Sequence, residues 1–414
     1  MDLQTFLNTS YTAFQSVENV INILEKNGFI KLYENEKWNI KVGGKYYVSR
    51  NGSSLIAFKV GKNFSFNVIA SHTDTPSFKI KGNPDITVED YAKINVEKYG
   101  GAIISSFIDV PLKIAGRVIV DDGETLKAKN VVSDYDISIP SVAIHMKTVE
   151  SADLNPQVDT LPLIGLGKKD VVSSLCKEKV VDYDLFVVSD QKPFKSGVDG
   201  EFLCSPRIDN QTSVLSSVTA LIKSKSDNVS VACLFDNEEI GSLTKQGADS
   251  NFLSDTISRL SDSLGKTEEE TKIALSNTLL ISLDNAHAIH PNHPEKCDPT
   301  NKCVMGKGIV IKHHANMAYT TDGFSSAIIK KIFDKAKVKY QDFYNKSDMR
   351  SGSTLGSVSA SHLSVASVDL GIAQLSMHSS LETIAIKDYD VMTKGLTAYY
   401  NSVIKINDDE ASIK

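Results

Sequence analysis

The reading of this chain turns on Val229-Ser230-Val231-Ala232-Cys233-Leu234-Phe235, followed at once by Asp236-Asn237-Glu238-Glu239-Ile240-Gly241-Ser242. A short apolar run bounded by turn residues marks a strand buried on both faces, as in a parallel sheet. Its acids then stand just past the strand's carboxyl end. Working outward, three further runs have the same form: Asn67–Ala70 leads to His72, Leu279–Leu283 to Asp284, and Val368–Leu375 to His378. In open α/β sheets ligands collect beyond the carboxyl ends of the strands. If these four strands lie side by side, the polar residues that follow them converge on one site.

The rest of the chain frames such a sheet. Leu3, Phe6, Leu7, Phe14, Val17, Val20, Ile21 and Leu24 fall near one face of a helical period that Asn27-Gly28 stops, which predicts one opening amphipathic helix. Strands are expected at Tyr46–Val48, Ser54–Val60 and Phe64–Ala70. From Asp85 to Val198 the texture changes to short β-branched runs broken by Gly, Pro and Asp, such as Val118–Val120, Val142–Ile144 and Phe186–Val188. Helical spacing returns after Arg207, at Val214, Val218, Leu221 and Ile222 and at Leu253, Ile257, Leu260 and Leu264. The organisation predicted is an α/β domain built from residues 1–84 and 199–414, with a β-rich unit inserted over 85–198. The acidic end, Asp408-Asp409-Glu410, reads as a frayed terminus.

Composition narrows the class. The 414 residues are 41% hydrophobic and 23% charged, which excludes wholesale disorder and a fibrous repeat. Forty-five basic against 51 acidic side chains leave a net charge of −6, so no broad basic field exists for nucleic acid or anionic lipid. No apolar run reaches the roughly 18 residues of a membrane span, and MDLQTFLNTS lacks a basic-then-apolar leader pattern. Cys176, Cys204, Cys233, Cys297 and Cys303 form an odd set without C-x-x-C. The expected setting is a reducing cytoplasm.

The residues suited to chemistry are His72 and Asp74 in SHTDTP, Asp209 in PRIDN, Glu238 and Glu239 in DNEEIGS, Asp284 in SLDNAHAIHPN and His378 in SMHSS. All are hard or borderline donors for a divalent cation. Suppose Asp209 bridges two ions, with His72 and Asp284 serving one and Glu239 and His378 the other. Each ion then has three protein donors and an open fourth position, the pattern of a catalytic rather than a structural zinc. Glu238 is left over to carry protons, and Asp74 to hold the second imidazole nitrogen of His72. Singly, each residue has an ordinary reading. Adjacent acids usually form a solvated turn, Asp209 before a helical pattern is an N-cap, and a lone histidine is a hydrogen-bonded surface residue. Their shared place after predicted strands, or at a helix start, is what joins them.

In this order and over the whole chain, SHTDTP, YGGAI, LKIAGRVIV, AIHM, PRIDN, DNEEIGS, DNAHAIHPN, SDMRSGSTLG and SMHSS resemble the aspartyl aminopeptidase and vacuolar aminopeptidase I family of di-zinc exopeptidases. The resemblance implies a mixed-sheet zinc exopeptidase catalytic domain in two segments around an inserted β-rich lid or dimerisation domain, assembled as a tetrahedral dodecamer with an enclosed chamber. It implies His72, Asp209 and Asp284 on one zinc and Asp209, Glu239 and His378 on the other. It makes Glu238 the general acid/base and Asp74 the residue orienting His72. It also implies that His145 in AIHM reaches a neighbouring subunit's active site, to hold substrate or polarise its carbonyl; on the residues alone, His145 ends a strand of the inserted unit. The implied cofactor is Zn²⁺, two per subunit, with Co²⁺ or Mn²⁺ as substitutes. The implied substrates are peptides, shortened at their N-terminus by water activated between two metals.

One stretch departs from the acid-preferring members, which place a basic side chain near the segment that reads IKHHANMAYTT here. Asn316 and Ala318 stand in its middle, and Lys312, His313 and His314 read as solvated strand-edge cations. Acidic and neutral N-terminal residues both stay open as preferences. His287, His290 and His293 beside Asp284 read as support or loop surface, and Cys297 and Cys303 as structural. Two alternatives keep other chemistry in view: a two-metal deacylase or amidohydrolase acting on N-acyl amino acids, and a non-catalytic assembly protein. Other motifs fall short. Gly352-Ser353-Thr354-Leu355-Gly356 has Thr where a nucleophile elbow needs Ser. Gly265-Lys266-Thr267 lacks the first glycine of a phosphate loop, with Leu260 in its place. No H-E-x-x-H occurs.

Overall fold

The four apolar runs pair with one another. The computed structural model, which describes residues 1–146, 154–349, 352, 354–356 and 362–414, sets Val229–Phe235, Phe66–His72, Leu279–Leu283 and Ala366–Leu375 as successive parallel neighbours in one large sheet. Phe235 lies opposite His72, and Leu283 opposite Leu370. The first three strands are buried along their whole length because helices cover both faces, the condition under which a strand carries no polar alternation. Successive residues still point to opposite cores. Ile69, Ala232 and Ile281 pack under helices Ala13–Lys26, Ile208–Lys223, Gly323–Ala336 and Ile386–Tyr400. Val68, Val231 and Leu280 pack under Phe252–Ser263 and Glu268–Ser276. Antiparallel strands flank this centre, including Ser54–Lys59 beside Val229–Phe235 and Ile309–His313 beside Ala366–Leu375, so the sheet is mixed.

A second sheet is wholly antiparallel. Its order is Leu126–Val132, Leu112–Asp121, Val180–Ser189, Ser77–Val88, Tyr91–Tyr99, Leu163–Leu166. Phe78, Ile94, Leu112, Ile114, Leu185 and Val187 give it a core of its own. The chain leaves the large sheet after His72 and rejoins it through Phe194–Ser196 and Phe202–Ser205. The boundary read at residue 85 thus falls inside the strand Ser77–Val88, whose Phe78 and Ile80 already face the second core.

Three local expectations change. The opening helix is two, Leu3–Thr9 capped by Asp2 and Ala13–Lys26 capped by Thr12; each cap side chain accepts a backbone N–H, and the apolar period carries across the break. Val142–Ile144 forms no strand, being exposed and followed into the tight turn Ile144–Met146. The acidic terminus is ordered: Ile404–Asn407 and Glu410–Ile413 form a hairpin with Asp408-Asp409 at its tip, anchored by buried Ile404 and Ile413. Among the described residues no helix is long and apolar enough to cross a membrane.

Candidate metal centre

The sheet brings the first residues together directly. His72 ends its strand and Asp284 is the first residue after the neighbouring one. Asp209 arrives from the start of helix Ile208–Lys223, where Arg207 takes a left-handed conformation (φ 61°) and Asp209 itself is non-helical. Asn210 Nδ2 donates to the Leu283 carbonyl at 2.8 Å and Gln211 Nε2 to the Thr73 carbonyl at 2.7 Å. The helix start is thereby tied to the ends of two strands, and Asp209 turns over the sheet instead of capping the helix.

Glu238 and Glu239 come from a bend after Phe235. Asn237 adopts a left-handed conformation (φ 63°), which asparagine tolerates better than most residues. Its Oδ1 accepts from Thr244 and Gln246, each at 2.9 Å, and its Nδ2 donates to Tyr99 Oη at 2.9 Å. Asp74, buried beside this bend, accepts the backbone N–H of Glu238 at 3.1 Å and of Glu239 at 3.2 Å, and the Tyr99 hydroxyl at 2.8 Å. His72 Nδ1 lies 3.0 Å from the Asp74 backbone carbonyl and 3.4 Å from its carboxylate. The carbonyl is therefore the nearer partner of His72, and the Asp74 carboxylate chiefly holds the Glu238-Glu239 bend. The carbonyl can only accept, so Nδ1 carries a proton and Nε2 is the nitrogen turned toward the other acids.

These elements converge. His72 Nε2 stands 3.5 Å from Asp209 Oδ1 and 3.6 Å from Asp284 Oδ1. His378 Nε2 stands 3.4 Å from Asp209 Oδ2 and 3.5 Å from Glu239 Oε1. Ligands about 2.0–2.2 Å from a tetrahedral ion lie roughly 3.3–3.6 Å from each other, so these spacings suit coordination better than hydrogen bonding. Among the described residues three groups offer donor atoms within 4.8 Å of one another: His72-Glu238-Glu239 and two triads, His72-Asp209-Asp284 and Asp209-Glu239-His378. The two triads share Asp209, one oxygen to each side.

The sequence profile of the Aminopeptidase I zinc metalloprotease (M18) family matches residues 6–400. This chain belongs to the M18 aminopeptidase family. It is 41% identical to the probable M18 family aminopeptidase 2 of Clostridium novyi, over 97% of this chain and 98% of that one. It is 32% identical to aspartyl aminopeptidase 1 of Schizosaccharomyces pombe, over 99% and 96% of the two chains. Among solved structures, the mApe1 dodecamer of S. cerevisiae superposes with a TM-score of 0.83 at 28% identity, covering 96% of this chain and 94% of that one. The M18 chain is accordingly a metallo-aminopeptidase, a hydrolase of the exopeptidase class in a family of zinc enzymes.

The donor set of this M18 chain fits zinc by an observation of its own. Asp209 Oδ1 and Glu239 Oε1 are buried with no hydrogen-bond partner, a costly arrangement for carboxylate oxygens unless a cation meets them. Burial pushes Glu239 well above the ordinary carboxylate range, against the pull of His378. Burial likewise lifts Glu238 to about 8, with His72 opposing and Asp284, Asp74 and Asp209 adding to the rise. His378, though burial lowers it, is raised to about 10 by Asp209 and Glu239. Without cations the acids must borrow protons.

Glu382 has no place in the sequence-based expectations, and Lys312 has the wrong one. Glu382, buried, accepts from the backbone of both Asp209 and His378; an acid heading the short run Glu382–Ala385 gave no local signal. Lys312 is no solvated strand-edge cation. Its side chain is 2% exposed, with Nζ 3.1 Å from Asp284 Oδ2 and 5.1 Å from the Tyr319 ring centre, because Ile309–His313 lies against Ala366–Leu375 inside the sheet. The lysine in an otherwise apolar strand was the available clue. His313 is paired with Asp342 and stacked on Tyr344, and Asn316 is exposed in the following turn. His287, His290 and His293 join neither triad. His145 sits on the exposed turn of the inserted unit, just before residues 147–153 outside the described set. Thr267, from the false phosphate loop, is an N-cap whose box with Glu270 starts helix Glu268–Ser276. Of SDMRSGSTLG, Arg350, Ser351 and Ser353 lie outside the described residues.

Proposed function

We propose that this M18 aminopeptidase removes N-terminal residues from peptides with two zinc ions. One would be held by His72, Asp209 and Asp284, the other by Asp209, Glu239 and His378. The observation that carries the reading is Asp209, whose two carboxylate oxygens each face a different histidine Nε2 at 3.4–3.5 Å. Co²⁺ and Mn²⁺, with similar donor preferences, are the expected substitutes.

Bound there, the cations would supply Lewis acidity for the first peptide carbonyl and acidify a water. The chain's own residues do the rest. Glu238 takes a proton from the attacking water and returns it to the amide nitrogen as that bond breaks, so the departing peptide leaves as an amine. Its carboxyl is buried beside His72, Asp284 and Asp209, where that proton would move. Asp74 keeps Glu238 aimed through the backbone of the bend. His145, exposed on the inserted unit, serves the site of a neighbouring copy. The dodecameric relative supports a homo-oligomer of that size here, and a tetrahedral arrangement is part of the proposal. All five cysteines are free, which supports a cytoplasmic setting.

The N-terminal residue preferred is acidic, with neutral residues accepted. Kinship with an aspartyl aminopeptidase supports this. A panel of aminoacyl p-nitroanilides, with and without chelator and with zinc, cobalt or manganese restored, tests the whole reading. Metal-dependent release from Asp and Glu substrates above Leu, Met and Phe is expected, with N-acylated versions inert. Cleavage of N-acylated substrates alone would make the chain a deacylase, and no metal-dependent cleavage would end the proposal.

A further inference from the structure

We propose that Glu382 is a positioning residue for the second half-site, a buried carboxylate that joins two ligand-bearing segments and sets the distance between Asp209 and His378. This inference rests on the two-ion reading above. Glu382 heads the strand Glu382–Ala385, which pairs antiparallel with Phe202–Ser205 and places Glu382 opposite Ser205. The register brings one end of its side chain to the approach of Asp209 and the other to the turn carrying His378. Oε2 accepts from the Asp209 backbone N–H at 3.0 Å and Oε1 from the His378 backbone N–H at 2.7 Å. The residue is 1% exposed, so both bonds are made out of reach of water, where losing the acceptor leaves a buried N–H unpaired.

The two segments need such a tie. Arg207, Ser376 and His378 all hold left-handed conformations, with φ of 61°, 56° and 66°, which non-glycine residues keep only when their surroundings impose them. Asp209 has additional anchors, since Asn210 and Gln211 bind the carbonyls of Leu283 and Thr73. His378 is anchored too, its backbone carbonyl accepting from Ile103 at 2.9 Å, its Nδ1 3.3 Å from the Gly101 carbonyl and Ser380 bound to Ser106, but its side chain is 29% exposed against 3% for Asp209. Loss of Glu382 should therefore fall on the His378 side. Asp74 uses the same device on the neighbouring bend, taking the N–H groups of Glu238 and Glu239. The site thus has two buried carboxylates that each fix a pair of backbone donors.

The test uses the full-length, zinc-loaded protein and Glu382→Gln, which keeps the volume but turns an NH₂ toward one of the two N–H donors. Zinc stoichiometry is measured by mass spectrometry, and affinity by competition with a chromophoric chelator; melting of the chelated protein reports the fold. The parent should bind two ions. In E382Q one of the two binding steps should fall about 10-fold or more while the other stays within about threefold, with the chelated form melting close to the parent. Parent-like affinity for both ions overturns the inference. So does equal weakening of both steps with a lowered melting point, which marks a general structural role. A parent that binds fewer than two ions overturns the two-ion reading and this inference with it. Should E382Q not fold, Glu382→Asp, one methylene shorter with its charge kept, is judged by the same selective loss.

Discussion

The two triads that share Asp209 are built in different ways. His72 and Asp284 sit on or directly after neighbouring parallel strands whose backbones are hydrogen-bonded in register. Glu239 and His378 instead hang from bends, four residues past Phe235 and three past Leu375. Those bends lean on buried carboxylates and on the segment after Tyr99 of the inserted unit. A Cβ on Gly100 would come 3.0 Å from the Glu239 Cβ, and one on Gly101 the same distance from His378 Nδ1. One half-site is therefore held by the sheet, and the other by loops clamped from the second sheet. Rigid strands give precise positions at no extra cost, while loops allow the inserted unit to act on the metal.

The predictions bear on that contrast. Asp209→Ala removes the shared ligand and should strike both halves: zinc content well below two per chain, and activity at least about 10⁴-fold down in an aminoacyl assay. Retention of one tight, active ion would mean that the halves are independent. Glu238→Gln should strike neither half, keeping two zinc ions by mass spectrometry while kcat drops about 10³-fold; a parent-like kcat would remove Glu238 from proton transfer. Gly101→Ala should strike only the loop-held half. Its Cβ crowds His378, so one zinc should loosen about 10-fold in a chelator competition while the other is unmoved. Equal loss of both ions would erase the distinction.

The smallest effect is on pH. Asp236 is held up to about 7 by burial and Asp74, and Glu382 to about 8 by burial and Asp209. Their folded values exceed the ordinary unfolded ones near 4, so the ion-free protein loses their contribution as pH rises toward 7 and 8. His378, raised to about 10 against its burial by Asp209 and Glu239, contributes fully below about 6.5 and loses that contribution as pH climbs toward 10. Both trends weaken the chelated form with rising pH, and cations replace the protons. The gap in melting temperature between zinc-loaded and chelated protein should widen from pH 6 to 9, by roughly 2 °C per pH unit. A constant or shrinking gap in a thermal-shift series would contradict this charge balance.

The four strands were legible because each is a local apolar run whose next polar residue is its own signal, as in Val229–Phe235 before the Glu238-Glu239 bend. The opening helix was legible only as a period; its break at Ser10–Thr12 was hidden because the apolar face continues across it. Lys312 and Glu382 were not legible as site residues. Each lies in a short β-run whose meaning depends on which distant strand lies beside it, Ala366–Leu375 for Lys312 and Phe202–Ser205 for Glu382.

By itself the sequence determined the residue types: hard donors at the ends of buried strands and a leftover glutamate. Those choices are local, set by side-chain chemistry and backbone preference. Tertiary structure alone decided that Asp209 splits its two oxygens between two histidines, that the Asp74 carboxylate grips a bend more than an imidazole, and that Glu382 ties two loops together. The physical reason is that strand pairing joins segments more than a hundred residues apart, and hydrogen bonds between them exist only once that register is formed.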